Sequence, residues 1–123
     1  MYDVSVSTSF VAQHYLIGGD FGAENIKHSH NFKIQLIIEN DILNTHNYVV
    51  DIDDIKNFLT KIEKTYKDQC LNDFKIFKNQ NPSIEFFAKV IFDDFNTSVN
   101  TTQYKKIKVI VFEDENCYAS YQN

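Results

Sequence analysis

Arginine is absent from this 123-residue chain: all twelve basic residues are lysine. No guanidinium fork is therefore available to grip a phosphate or carboxylate with two parallel hydrogen bonds. Basic charge is short overall. Twelve lysines against seventeen acidic residues leave a formal net charge of −5, the wrong sign for neutralising a phosphate backbone, so no nucleic-acid partner is expected. No apolar run reaches the ~18–20 residues of a membrane span, and the first residues lack the basic-then-apolar design of a secretion signal. The two cysteines, Cys70 and Cys117, form neither a metal spacing nor a disulfide framework, and a reducing cytoplasm is the expected compartment. With one proline and three glycines, turns must fall mainly to Asn and Asp. What is present is a 43% hydrophobic composition, enough for one packed core. The length predicts a single domain over residues 1–123, without repeat, low-complexity tract or linker.

Hydrophobic periodicity orders the chain. Tyr2, Val4, Val6, Thr8 and Phe10 share one parity and predict a long first strand. Gly18, Gly19 and Gly22 mark a loop, and alternation returns from His28 to Ile38. Residues 40–47 are a turn-rich break. Ile52, Ile55, Leu59, Ile62 and Tyr66 then form one helical stripe, with Asp51 placed to cap or charge its first turn. A second helix is expected from Asn81-Pro82, with Asn81 as cap, Pro82 in the first helical position and Glu85 complementing the dipole. Its buried side would be Phe86, Phe87, Val90 and Ile91. Two last strands, Lys106 to Glu113 and Cys117 to Tyr121, flank the acidic turn Asp114-Glu115-Asn116. The class is α+β: an antiparallel four-stranded sheet with two helices on one face.

Three of the four histidines are placed suggestively. His28 and His30 lie two apart on an expected strand, so both project from one face. His14 falls just beyond the first strand, which should pair with the second. Three converging imidazoles suit Zn²⁺ and leave its fourth position open, as catalytic zinc sites require. Spacing alone also fits a half-exposed histidine pair on a polar sheet face. His46, in the Asn-rich loop, is expected to be plain surface.

Six segments in register resemble the 6-pyruvoyl-tetrahydropterin synthase and 6-carboxytetrahydropterin synthase family. Phe10-Val11-Ala12-Gln13-His14 resembles its Phe-x-Ala-x-His opening, and His28-Ser29-His30-Asn31-Phe32 its His-Gly-His-Asn-Tyr zinc motif. Val49-Val50-Asp51-Ile52 with Ile55-Lys56, and Cys70-Leu71-Asn72-Asp73, are similar to its helix start and Leu-Asn-Asp turn. Asn81-Pro82-Ser83-Ile84-Glu85 resembles its Asn-Pro-Thr-x-Glu segment, and Val111-Phe112-Glu113 its Val-x-Glu strand end. The resemblance implies the tunnelling fold (T-fold), closed into a barrel by oligomerisation, typically a homo-hexamer of two trimers with active sites between subunits. It implies Zn²⁺ on His14, His28 and His30, a lyase acting on 7,8-dihydroneopterin triphosphate, and Glu113 holding the pterin ring. Alternation puts Glu113 on the face of Ile107, Val109 and Val111, where a carboxylate can accept two parallel hydrogen bonds from ring N–H donors; without the resemblance, a solvated strand end beside Asp114 and Glu115 is the favoured reading. Ser83 and Glu85 match a segment that supports the pterin, and helix capping also accounts for both. The pathway, whether queuosine, folate or biopterin, is left open.

The chain departs from the family pattern where protons move. The usual cysteine four to six residues before the histidine pair is missing, and Glu24 stands four residues before His28. One branch of the family carries glutamate there and is associated with side-chain cleavage to 6-hydroxymethyl-dihydropterin. Glu24 is thus either a general base or an ordinary loop glutamate. The family's Asp-His pair is replaced by Lys67-Asp68-Gln69, leaving Asp68 as the substitute carboxylate. Ser29 replaces glycine between the histidines. A zinc- and pterin-binding paralogue without turnover is the competing expectation.

Overall fold

The computed structural model describes all residues, 1–123. Strands β1 (Tyr2–His14) and β2 (His28–Asn40) form a long antiparallel ladder. Helices α1 (Ile52–Tyr66) and α2 (Ile84–Ser98) follow, and strands β3 (Lys106–Phe112) and β4 (Tyr118–Gln122) close the chain. The sheet runs β1-β2-β3-β4 with every pair antiparallel. Helix α1 packs on β1, and α2 on β3 and β4, from the same side. This is the four-stranded, two-helix T-fold layout.

Period-two burial explains the layering. The even residues of β1 and β2 and the odd residues of β3 face the helices, and Phe32, Ile34, Leu36, Ile38, Val109 and Val111 are fully buried. On the other face, β1 and the start of β2 are largely polar (Ser5, Ser7, Ser9, Asn31, Lys33), while Ile37 and Ile110 lie further along it. From the helices, Ile55, Phe58, Leu59 and Ile62 of α1 and Phe87, Ala88, Ile91, Phe92 and Phe95 of α2 complete the core. Ile52, expected in the stripe, is 45% exposed, and Phe58, not expected there, is buried. Phe86 and Val90 are only partly buried.

Caps and turns show which polar residues do local work. Asp51 caps α1, its carboxylate accepting from the Asp53 N–H at 2.9 Å. The cap of α2 is Ser83, not Asn81: Ser83 Oγ accepts from the Phe86 N–H at 3.1 Å. Asn81 and Pro82 sit before the helix because their polar groups are committed to β1 and the segment after it, as described below. Asn47, Asp68 and Asn79 adopt left-handed φ of 66°, 60° and 59°, a conformation that short polar side chains tolerate and that this glycine-poor chain needs. The structure also carries β1 as far as His14, so that residue ends the strand rather than following it.

Phe87 joins the layers, its ring meeting those of Phe32, Tyr66 and Phe77 at 5.8, 5.1 and 5.9 Å. Phe87→Ala should lower unfolding free energy by about 3–5 kcal/mol, a large part of the roughly 5–15 kcal/mol of a domain this size. Urea unfolding monitored by circular dichroism measures it.

Candidate metal centre

The β1–β2 register sets His14 directly opposite His28, with His30 opposite Ala12. All three imidazoles therefore leave the sheet on the helix side, at the end of the ladder where the apolar core stops. Their ring centroids lie 4.6, 5.1 and 4.9 Å apart, with interplanar angles of 65°, 87° and 90°. Phe32 forms the floor, 5.5 Å from both the His14 and His30 rings.

Backbone carbonyls orient two of the three rings. His14 Nδ1 lies 2.9 Å from the Pro82 carbonyl, and His28 Nδ1 lies 2.7 Å from the Ile26 carbonyl. A carbonyl only accepts, so in both rings Nδ1 carries a proton, and in the neutral ring Nε2 is then the atom that presents a lone pair. Nε2 of His14, His28 and His30 are all buried, and none has a well-aligned hydrogen bond. Carboxylate oxygens nevertheless lie close: Glu24 Oε2 is 3.0 Å from His28 Nε2, and Glu113 Oε1 is 3.0 Å from His30 Nε2 and 3.6 Å from His14 Nε2. The five donor atoms fall within 4.8 Å of one another.

A buried nitrogen left without a hydrogen bond costs about 1–3 kcal/mol, and a cation bound where the three Nε2 atoms meet would relieve all three at once. Nitrogen donors with carboxylates beside them and Nδ1–H groups on carbonyls match how divalent transition metals are held. Burial pushes the His14 pKa below the ordinary histidine range, and repulsion from His28 and His30 acts the same way against the Pro82 hydrogen bond and the Glu113 charge. At neutral pH His14 is thus the uncharged ligand form.

The remaining residues singled out from the sequence stand as follows. Glu113 lies one step past β3 on the parity of Val111, a quarter exposed, and joins the cluster. Glu24 reaches it from a short 3-10 turn, Gly22–Asn25, with its carboxylate half exposed. Ser83 and Glu85 do not touch the donor cluster: Ser83 spends its hydroxyl on the cap, and Glu85 is exposed on the first turn of α2. Asp68 lies outside it too, exposed beyond α1, with its backbone N–H donating to the Val11 carbonyl on the outer edge of β1. Cys70 is buried and its thiol faces Asn72 Oδ1 at 3.7 Å. His46 is exposed beside Tyr48.

Sequence reasoning missed the supports. The Pro82 and Ile26 carbonyls are backbone groups with no side-chain signal. Asn72 exchanges two hydrogen bonds with the Tyr15 backbone, and Asn81 accepts from the Ile17 N–H; the asparagine-rich turns of a glycine-poor chain were the available clue. If the three imidazoles hold the ion, His28→Ala grown with zinc supplementation should lose nearly all bound metal, whereas His46→Ala should keep about one equivalent per chain. Elemental analysis by mass spectrometry reads both.

Comparison with known proteins bears on this site. Curated protein sequences give no significant match. The family model for 6-pyruvoyl tetrahydropterin synthase matches residues 3–123. Among solved structures, the Caenorhabditis elegans 6-pyruvoyl tetrahydropterin synthase is 21% identical, with a TM-score of 0.86 over 99% of this chain and 95% of that one. The Plasmodium falciparum enzyme is 17% identical, with a TM-score of 0.79 over 99% and 97% of the two chains. The Plasmodium vivax enzyme, 16% identical with a TM-score of 0.73 over 99% and 97%, was solved as catalytic-residue mutants in which a glutamate is replaced by alanine or by cysteine. With the family model covering all but the first two residues, the chain belongs to the 6-pyruvoyl tetrahydropterin synthase family.

Proposed function

We propose that this protein is a zinc-dependent lyase acting on 7,8-dihydroneopterin triphosphate, with His14, His28 and His30 as zinc ligands. The observation that carries this reading is the convergence of three buried, unpaired Nε2 atoms with the carboxylates of Glu24 and Glu113 beside them. A zinc ion held there would supply a Lewis acid that polarises side-chain oxygens of the substrate.

The protein's own groups divide the remaining tasks. Glu113 binds the ring, its carboxylate accepting from the N3–H and 2-amino donors, with the apolar residue Val111 two positions before it. Ser83 and Glu85 lie at the helix start that lends its Pro82 carbonyl to His14, and in this reading they flank the bound pterin. Glu24, 3.0 Å from His28, is the base. Its carboxylate takes the proton of the 2′-hydroxyl as the C1′–C2′ bond breaks, a proton returns to C1′, and C2′ leaves as an aldehyde carrying the triphosphate. The product is then 6-hydroxymethyl-dihydropterin. Support comes from the glutamate that the Plasmodium vivax mutants mark as catalytic in that enzyme. A cysteine and an Asp-His pair would favour eliminating the triphosphate instead, and both are missing here.

Assembly belongs to the same reading. The outer edge of β1 is paired only near its end, through Val11 and Gln13 with the segment at Asp68–Cys70. The rest of that edge and the outer edge of β4 are open, and a barrel-closing homo-hexamer would pair them. Asp68 stands on that edge, where it would serve a neighbouring subunit's site. The free cysteines suit a cytoplasmic protein. The second reading, a zinc- and pterin-binding paralogue without turnover, is favoured by one observation: Lys67-Asp68-Gln69 carries no histidine.

Incubation with 7,8-dihydroneopterin triphosphate and identification of products by mass decides between them. The expected product is 6-hydroxymethyl-dihydropterin; unchanged substrate with tight binding would establish the paralogue. By calorimetry, Glu113→Gln should weaken pterin binding by about 2–4 kcal/mol, roughly thirty- to a thousand-fold, with metal content unchanged. Glu24→Gln should keep pterin affinity and lose turnover.

A further inference from the structure

Residues 18–27, the loop that brings Glu24 to the donor cluster, are exposed at every position except Asn25. Apolar burial therefore does not fix the course of this loop, and hydrogen bonds must. Asn25 makes more of them than any other side chain. Its Oδ1 accepts from the Phe21 N–H at 2.7 Å, and its Nδ2 donates to the Leu16 and Gly19 carbonyls, each at 3.0 Å. The Leu16 N–H in turn donates to the Glu24 carbonyl at 2.8 Å. Leu16 is thus tied through both backbone groups to residues 24 and 25, as a residue in a strand ladder would be. It lies two residues after His14, so the tie fixes the Glu24 backbone to the end of the strand that carries a proposed ligand.

Gly18 and Gly22, at φ of 80° and 63°, fold the intervening chain into the arc that Asn25 spans. Other side chains cannot make the same set of bonds. Aspartate has the acceptor and lacks both donors, and serine has one donor and a shorter reach.

We propose that Asn25 is a positioning residue: its amide holds the Glu24 carboxylate at the metal centre. This rests on reading Glu24 as the base at a zinc site. Asn25 also precedes Ile26, whose carbonyl holds His28 Nδ1, so an action through His28 must be told apart from one through Glu24.

Zinc affinity by chelator competition, together with steady-state kinetics, separates the two on wild type, Asn25→Ala, Glu24→Gln and the double variant. Asn25→Ala should still bind one zinc per chain, with affinity lowered about ten-fold, as for loss of a group supporting a metal site. Glu24→Gln should lose a similar factor, and the double variant no more than Glu24→Gln alone. Turnover of Asn25→Ala should fall about ten- to a hundred-fold while KM for the pterin moves less than about three-fold. Losses that multiply in the double variant would place the action on Ile26 and His28 and overturn the proposal, as would unchanged zinc affinity in Asn25→Ala. Wild-type protein without turnover would defeat the lyase reading alone, leaving the zinc cycle to decide on Asn25. Should Asn25→Ala fail to fold, Asn25→Asp keeps the Phe21 bond and should show the same loss, because the two donor bonds carry the tie.

Discussion

The structure turns on one pairing, His14 against His28 at the end of the β1–β2 ladder. Because strand side chains alternate with a period of two, this register decides at a stroke that His14, His28 and His30 share the helix side of the sheet. A slip of one residue would send the His28 and His30 rings to the polar face and carry Phe32, Ile34 and Leu36 out of the core. Burial of those apolar residues thus enforces the register, and the register assembles the donor cluster. The core and the site are specified by the same alternation.

What alternation cannot supply is ring orientation, and here the chain between the elements acts. The α2 cap falls at Ser83, two residues after Asn81, which frees the Pro82 carbonyl for His14 and the Asn81 amide for the Ile17 backbone. The Ile26 carbonyl does for His28 what Pro82 does for His14. In the neutral ring both select the Nδ1–H tautomer, which turns the Nε2 lone pair inward, toward the point where an ion would be held. Such pre-orientation reduces the ordering needed on binding. Buried Nε2 atoms without hydrogen bonds are costly in themselves, so an ion held by them would also stabilise the fold.

Much of this was legible in the residues. The strand parities, the α1 cap at Asp51 and the face shared by His28 and His30 follow from spacing. The reliance on Asn and Asp for left-handed turns follows from the scarcity of glycine, and Asn47, Asp68 and Asn79 bear it out. The parity of Glu113 with Val109 and Val111 placed it on the site's face. Less was legible where backbone rather than side chain does the work. Asn81-Pro82 carries a strong helix-start signal, yet tertiary hydrogen bonds to His14 and Ile17 claim both residues and leave the cap to Ser83. The exposed loop around Glu24 has no periodicity to read, so its approach to His28 emerges only in three dimensions. Asp68 lies outside its own chain's cluster because the left-handed turn after α1 commits that segment to the outer edge of β1.

The central claim is that three imidazole nitrogens of one chain form the metal site. X-ray absorption at the zinc edge of the loaded protein tests it most directly. The account predicts three nitrogen scatterers at about 2.0–2.1 Å with imidazole multiple scattering, oxygen completing the shell and no sulfur. A sulfur shell at about 2.3 Å, or an oxygen-only shell without imidazole scattering, would contradict it.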